Sequence, residues 1–281
     1  MKNPQFLRSI RLVCFVTMVS LLTGCTAVAR AAYLELLPLQ GFDTLQADKR
    51  VHYEPEAKTN AENLAANYAQ TIQQIEARLG GTLQTTPQVY LCASDACYLK
   101  YAFNQEARAE ARGRGNLVLL KARTLEAEGR LLPVFTHELV HAFWFQHGVH
   151  CTPRWWTEGL AVEVSNGGGA EKVTHQEALQ AMQEGKIFHA SDENSCWTRM
   201  PPQLNGMAWP MFYRQSGMFV QWMRVRDPEG FSALLIKLRS GDNLATAIES
   251  VYGQPLTALH SAWQKSAMNS TITPLENPHA S

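Results

Sequence analysis

The arrangement in this sequence with the clearest capacity for chemistry is His137-Glu138-Leu139-Val140-His141. On a helix, residues four apart share one face about one turn from each other, so two imidazoles at that spacing can hold a single metal ion. Glu138 is rotated about 100° from His137, which aims its carboxylate at a water on the ion rather than at the ion itself. Zn2+ suits this chemistry: it lowers the pKa of such a water toward ~7, and Glu138 would take the proton as the oxygen attacks a carbonyl carbon. The preceding run Leu131-Leu132-Pro133-Val134-Phe135-Thr136 supplies apolar packing to seat the helix in a core.

Two residues compete to be the third ligand. Glu158 lies in Pro153-Arg154-Trp155-Trp156-Thr157-Glu158-Gly159-Leu160-Ala161. Sixteen residues separate it from His141, enough for the first helix to end, turn at the Gly148 loop and return as an antiparallel helix. His147 follows His141 by six, the spacing of the third histidine in metzincins. That arrangement needs the helix to break between the two, normally at a glycine. Here Trp144 sits inside the helix-compatible run Ala142-Phe143-Trp144-Phe145, and six residues of unbroken helix rotate roughly 600°, turning His147 away from His141. Trp155 and Trp156 read as core packing. Glu163 reads either as a partner of a ligating histidine or as a solvated carboxylate.

The pairing of His-Glu-Leu-Val-His with a downstream Trp-Trp-Thr-Glu-Gly-Leu-Ala resembles the gluzincin clan of zinc metallopeptidases, especially the bacterial peptidase MA-like proteins and, more distantly, the zinc aminopeptidases. The resemblance implies one zinc ion held by His137, His141 and Glu158, with Glu138 as general base in peptide-bond hydrolysis. The run from Tyr213 to Met223 resembles the helix that follows the zinc site in these proteins, which implies that the Tyr213 hydroxyl faces the oxyanion of the tetrahedral intermediate. The resemblance further implies a strand upstream of the zinc helix that pairs with the substrate backbone, and Asn116 to Leu120 is its candidate. It spans roughly residues 116–263. No Gly-x-Met-Glu-Asn-type exopeptidase signature is present, so an endopeptidase is expected. The alternatives are a non-catalytic binding or scaffolding protein that keeps the fold, a site built on His147, and a hydrolase of a non-peptide amide.

These residues need elements to position them. Arg50 to Glu54 alternates as a short strand, and Ala61 to Leu79 places Leu64, Tyr68, Ile72, Ile75 and Leu79 at helical spacing before Gly80-Gly81 stops it. Gln88 to Cys92 and Asn116 to Leu120 read as strands, with a short helix near Ala96 to Phe103 between them. After Leu131 the chain reads as almost wholly helical, with helices at Trp209 to Val225, Pro228 to Leu238, Asn243 to Val251 and Pro255 to Lys265. The expected class is α+β: a small N-terminal mixed sheet with helices (49–130), packed on a mainly helical half (131–267), with the metal in the cleft between them. A polar tail covers 268–281.

The N-terminus reads as an export signal. Lys2, Arg8 and Arg11 precede an apolar run from Leu12 to Leu22, about half the length needed to span a bilayer. Leu22-Thr23-Gly24-Cys25 resembles the bacterial lipobox, which implies a signal peptide over 1–24, an acylated Cys25, a tether or lead-in over 25–48 and a periplasmic protein anchored to the outer membrane. The rival is cleavage after Ala29-Arg30-Ala31, releasing a soluble exported protein. Beyond Cys14 and Cys25 four cysteines remain, Cys92, Cys97, Cys151 and Cys196, and in an exported chain they suggest two disulfides. Of three possible pairings, Cys92–Cys97, closing a short loop, with Cys151–Cys196 is favoured. The formal net charge is zero, and losing the three signal cations leaves the remainder three charges negative. That balance gives no support for a nucleic-acid partner.

Overall fold

The computed structural model describes residue 30 and residues 33–149, 152–192 and 207–269. The signal segment with Cys25, the Cys151–Cys196 pair and residues 270–281 lie outside the described residues. The sheet-bearing half runs β1 (Asp43–Thr44), β2 (Val51–Tyr53), α1 (Lys58–Leu79), β3 (Gln88–Cys92), α2 (Asp95–Tyr101), β4 (Ala109–Arg112), β5 (Leu117–Lys121) and α3 (Ala122–Ala127). The helical half follows as α4 (Leu131–Gln146), α5 (Arg154–Val164), α6 (His175–Gln183), α7 (Trp209–Arg226), α8 (Pro228–Arg239), α9 (Leu244–Tyr252) and α10 (Leu256–Asn269). The molecule is therefore α+β, with a small mixed sheet and a helical C-terminal half. Among the described residues, no helix is long and apolar enough to cross a membrane.

The sheet has the order β1-β2-β3-β5-β4, in which β2, β3 and β5 are parallel and the two outer strands are antiparallel to their neighbours. Side chains alternate between its faces. Val89, Leu91, Val118 and Leu120 join Leu64, Tyr68 and Ile75 of α1 and Phe135 and Leu139 of α4 in the main core. Leu119 turns to the other face, where it packs with Tyr98 and Tyr101 of α2. Leu37, Leu39 and Phe42 pack on that cluster, and the Tyr101 hydroxyl donates to the Gln40 carbonyl at 3.0 Å. Leu34 is buried and its carbonyl accepts from Arg112, so the later part of the lead-in lies against the sheet. The expected disulfide Cys92–Cys97 is formed, tying the end of β3 to α2.

One expectation is corrected. The strand containing Leu117 to Leu120 is interior, flanked by β3 and β4, and the edge belongs to β4. Sheet order is set by pairing between distant segments, which Ala-Glu-Ala-Arg gives no local sign of. The Lys121 N–H donates to the Arg108 carbonyl at 2.9 Å, and the register pairs Ala109 with Leu120 and Ala111 with Val118. In an antiparallel ladder this makes Arg108, Glu110 and Arg112 the residues bonded to β5, and turns the main-chain groups of Ala109 and Ala111 outward.

In the helical half, α5 and α7 cross closely because glycines line the contact. A Cβ on Gly159 would come within 2.7 Å of the Ser216 carbonyl oxygen, and one on Gly217 within 2.5 Å of a Val162 methyl. Trp155 and Trp156 are buried in this core, the Trp155 indole N–H donating to the Ser191 carbonyl at 2.8 Å.

His260 of α10 is enclosed by Phe188, Phe219 and Trp263, and burial, with His189 adding to it, pushes its pKa down from 6.5 to about 4. The neutral form is the folded one, so its contribution to stability is complete above pH 6.5 and is lost as pH falls from 6.5 through about 4. The full loss amounts to roughly 3 kcal/mol. We expect His260→Phe to flatten the fall in urea-unfolding stability between pH 7 and pH 4.5; an unchanged slope would remove His260 as its source.

Candidate metal centre

His137 and His141 project from one face of α4, which runs unbroken to Gln146, so their rings meet with centroids 4.7 Å apart. Glu158 reaches them from the first turns of α5 across the short connection at Gly148. The His137 Nε2 lies 3.3 Å from Glu158 Oε2 and 3.0 Å from His141 Nε2. The third edge, His141 Nε2 to Glu158 Oε2, is 3.5 Å. A tetrahedral ion with ligand bonds of about 2.1 Å requires donors about 3.4 Å apart, so the three atoms fit one face of such a coordination shell. The donor set, two imidazoles and one carboxylate, is also that of a catalytic zinc site with an open fourth position.

His137 is further oriented from behind. Its Nδ1 donates to the Gly168 carbonyl at 2.8 Å, and because a carbonyl can only accept, the neutral ring keeps its Nε2 lone pair for the metal. Gly169, at φ +83°, lies so close that a Cβ there would meet the His137 ring at 2.9 Å. Arg214 pins the same loop, donating from Nε to the Val173 carbonyl at 2.7 Å and from Nη2 to the Ala170 carbonyl at 3.0 Å. This support was not foreseen, although three successive glycines at 167–169 are a sign of close backbone approach. Replacing Gly169 by Ala is expected to displace the imidazole and weaken metal binding at least about tenfold. Chelator competition measures this, and an unchanged affinity would deny the loop its orienting role.

Charge and burial act together in the site. Glu158 is buried, which alone would raise its pKa, but its bonds to His137 and His141 hold it well below the ordinary carboxylate value. Burial disfavours the His137 imidazolium, yet Glu158, Glu138 and the Gly168 carbonyl outweigh this and raise its pKa. Glu138 is buried beside β4 and accepts the Ala111 N–H; burial raises its pKa against the pull of His141, His137 and that N–H. Tyr213, in the second turn of α7, stacks obliquely near His137 with ring centroids 6.4 Å apart. Burial raises its pKa, the Glu158 charge adding to the effect, so the phenol keeps its proton.

The other candidates fall elsewhere. His147 ends α4, its Nδ1 donating to the Phe143 carbonyl at 2.8 Å while its ring stacks on Phe143 at 4.2 Å. It takes no part in the donor triangle. Glu163 is neither a histidine partner nor solvated: its carboxylate, 2% exposed, is paired with Arg78 and Arg224. Glu54 with Cys92 and Cys97 is the one other cluster of metal-type donors among the described residues, and its sulfurs are consumed in the disulfide. In comparisons with known proteins, no family model matches the chain and no curated protein is found similar to it.

Proposed function

We propose that this chain is a zinc-dependent peptidase of the gluzincin type, exported and held to the outer membrane by a lipid on Cys25. The observation that carries the reading is the triangle of donor atoms from His137, His141 and Glu158, with a buried carboxylate, Glu138, next to the first ligand. Zinc bound there would supply Lewis acidity, polarising a carbonyl and acidifying a water. Glu138 takes the proton of the attacking water and returns it to the leaving amine. The Tyr213 hydroxyl donates to the developing oxyanion.

The edge strand β4, instead of Asn116 to Leu120, offers the main-chain groups of Ala109 and the carbonyl of Ala111 to an extended peptide, a mode that favours the backbone over particular side chains. The site would open between the sheet-bearing and helical halves, as in gluzincins. The test is metal content in the intact chain and two variants. One zinc per wild-type chain, lost in Glu158→Ala and kept in His147→Ala, is the expected result. Zinc kept in Glu158→Ala and lost in His147→Ala would sink the assignment. Stoichiometric zinc with no cleavage of any member of a peptide library would leave a scaffold, not an enzyme.

A further inference from the structure

We propose that Arg154 is a positioning residue that locks Glu158 into one-oxygen ligation and, by the same guanidinium, aims the Tyr213 hydroxyl at the reacting centre. The inference rests on the metal-hydrolase reading and extends it to a residue that the motif does not contain.

Arg154 sits one turn before Glu158 on α5, and its Nη1 donates to Glu158 Oε1 at 3.1 Å. The other carboxylate oxygen, Oε2, is the one that faces both imidazoles, at 3.3 and 3.5 Å. The two oxygens of Glu158 therefore have separate duties, and the arginine occupies the one that would otherwise be free to compete for the ion. Pairs four apart on an open helix surface are worth a few tenths of a kcal/mol, but the Glu158 side chain is only 10% exposed and that of Arg154 32%, so the bond is largely shielded from water. The guanidinium also acts on Tyr213, pulling against the burial that raises the phenol's pKa. The guanidinium carbon lies 5.5 Å from the centre of the Trp209 ring, and Trp209 packs on Tyr213 one turn later on α7, with centroids 5.8 Å apart. Arg154 thus bridges the helix carrying the third ligand and the helix carrying the oxyanion donor. A planar fork with several donors can hold two acceptors at once, which an ammonium group does poorly.

The test uses the full chain and the variants Arg154→Gln, Arg154→Lys and Tyr213→Phe. Zinc Kd is measured by competition with a chromophoric chelator, and kcat and KM on a peptide that the wild type cleaves. Arg154→Gln is expected to raise the zinc Kd by 10- to 100-fold, the usual effect of losing a partner of a metal ligand, whereas Tyr213→Phe leaves it within twofold. Arg154→Lys should restore most of the zinc affinity while kcat stays at least about tenfold low with KM little changed. In a Tyr213→Phe background, changing Arg154 to Lys should cost little further kcat, because the hydroxyl it aims is gone. If Arg154→Gln fails to fold, the Lys variant carries the test. A zinc Kd in Arg154→Gln equal to wild type, or a kcat in Arg154→Lys equal to wild type, overturns the proposal while leaving the zinc reading intact. A wild-type chain that binds no zinc overturns the zinc reading itself.

Discussion

Glu138→Gln is expected to lower peptide hydrolysis by about 10²- to 10⁴-fold while leaving one zinc bound per chain. The size follows from the proton-transfer role: a positioned general base contributes about that factor, and an amide cannot take the proton. The retained metal follows from geometry. The donor triangle consists of His137, His141 and Glu158, and none of these bonds passes through Glu138. The fold should also survive, because Gln has nearly the same shape and its carbonyl oxygen can accept the Ala111 N–H that the carboxylate accepts now. It would relieve a buried charge near Glu158 as well, so stability should stay level or rise slightly. Zinc analysis, thermal unfolding and the rate on one peptide, measured on the same preparation, check all three. Full activity in a zinc-loaded Gln variant would remove Glu138 from the chemistry, and loss of zinc would move it into the coordination shell.

What could be read in the sequence was whatever depends on short spacing. His137 and His141 are one turn apart on a helix that the motif itself marks, and helical spacing of apolar residues marks Ala61 to Leu79, which the structure extends by three residues to Lys58. The strands Gln88–Cys92 and Leu117–Lys121 stood out as apolar runs closed by turns. The edge position of β4 did not, because Ala-Glu-Ala-Arg has little strand preference and is a strand only through its pairing with β5. The helix α6 was missed although Thr174 and Glu177 form a capping box that the sequence spells out. The Gly168 carbonyl behind His137 comes from 31 residues away, and main-chain groups leave no trace in residue identity. Arg154 was visible as a residue, but its link to Tyr213 depends on how α5 and α7 cross, which the glycines at 159 and 217 permit without announcing.

Glu163 illustrates the same limit with the larger consequence for stability. Its carboxylate joins three helices: Arg78 of α1 pairs with Oε1, and Arg224 of α7 donates from Nη2 to Oε2 at 3.0 Å. Arg224 also donates from Nη1 to the Arg78 carbonyl at 2.9 Å, which closes the network onto the end of α1. Glu163→Gln keeps the shape but leaves two guanidinium groups without their counter-charge, and Arg224 is the costly one because burial already weighs against its charged form. Removing one partner of a buried pair costs about 3–5 kcal/mol. Since the Arg78 side chain is 45% exposed and water can take over part of its solvation, the lower end of about 3 kcal/mol is expected, a fall in Tm of roughly 6–12 °C. A loss under about 1 kcal/mol would mean that solvent already screens the network. Replacing all three by Met or Leu should recover most of the loss, because the isolated charge and not the missing bonds is its source. The zinc Kd of the folded Gln variant supplies the control. Glu163 bonds to neither imidazole, so the Kd should stay within about threefold of wild type, whereas the loss of a true histidine partner would raise it by about 10- to 100-fold.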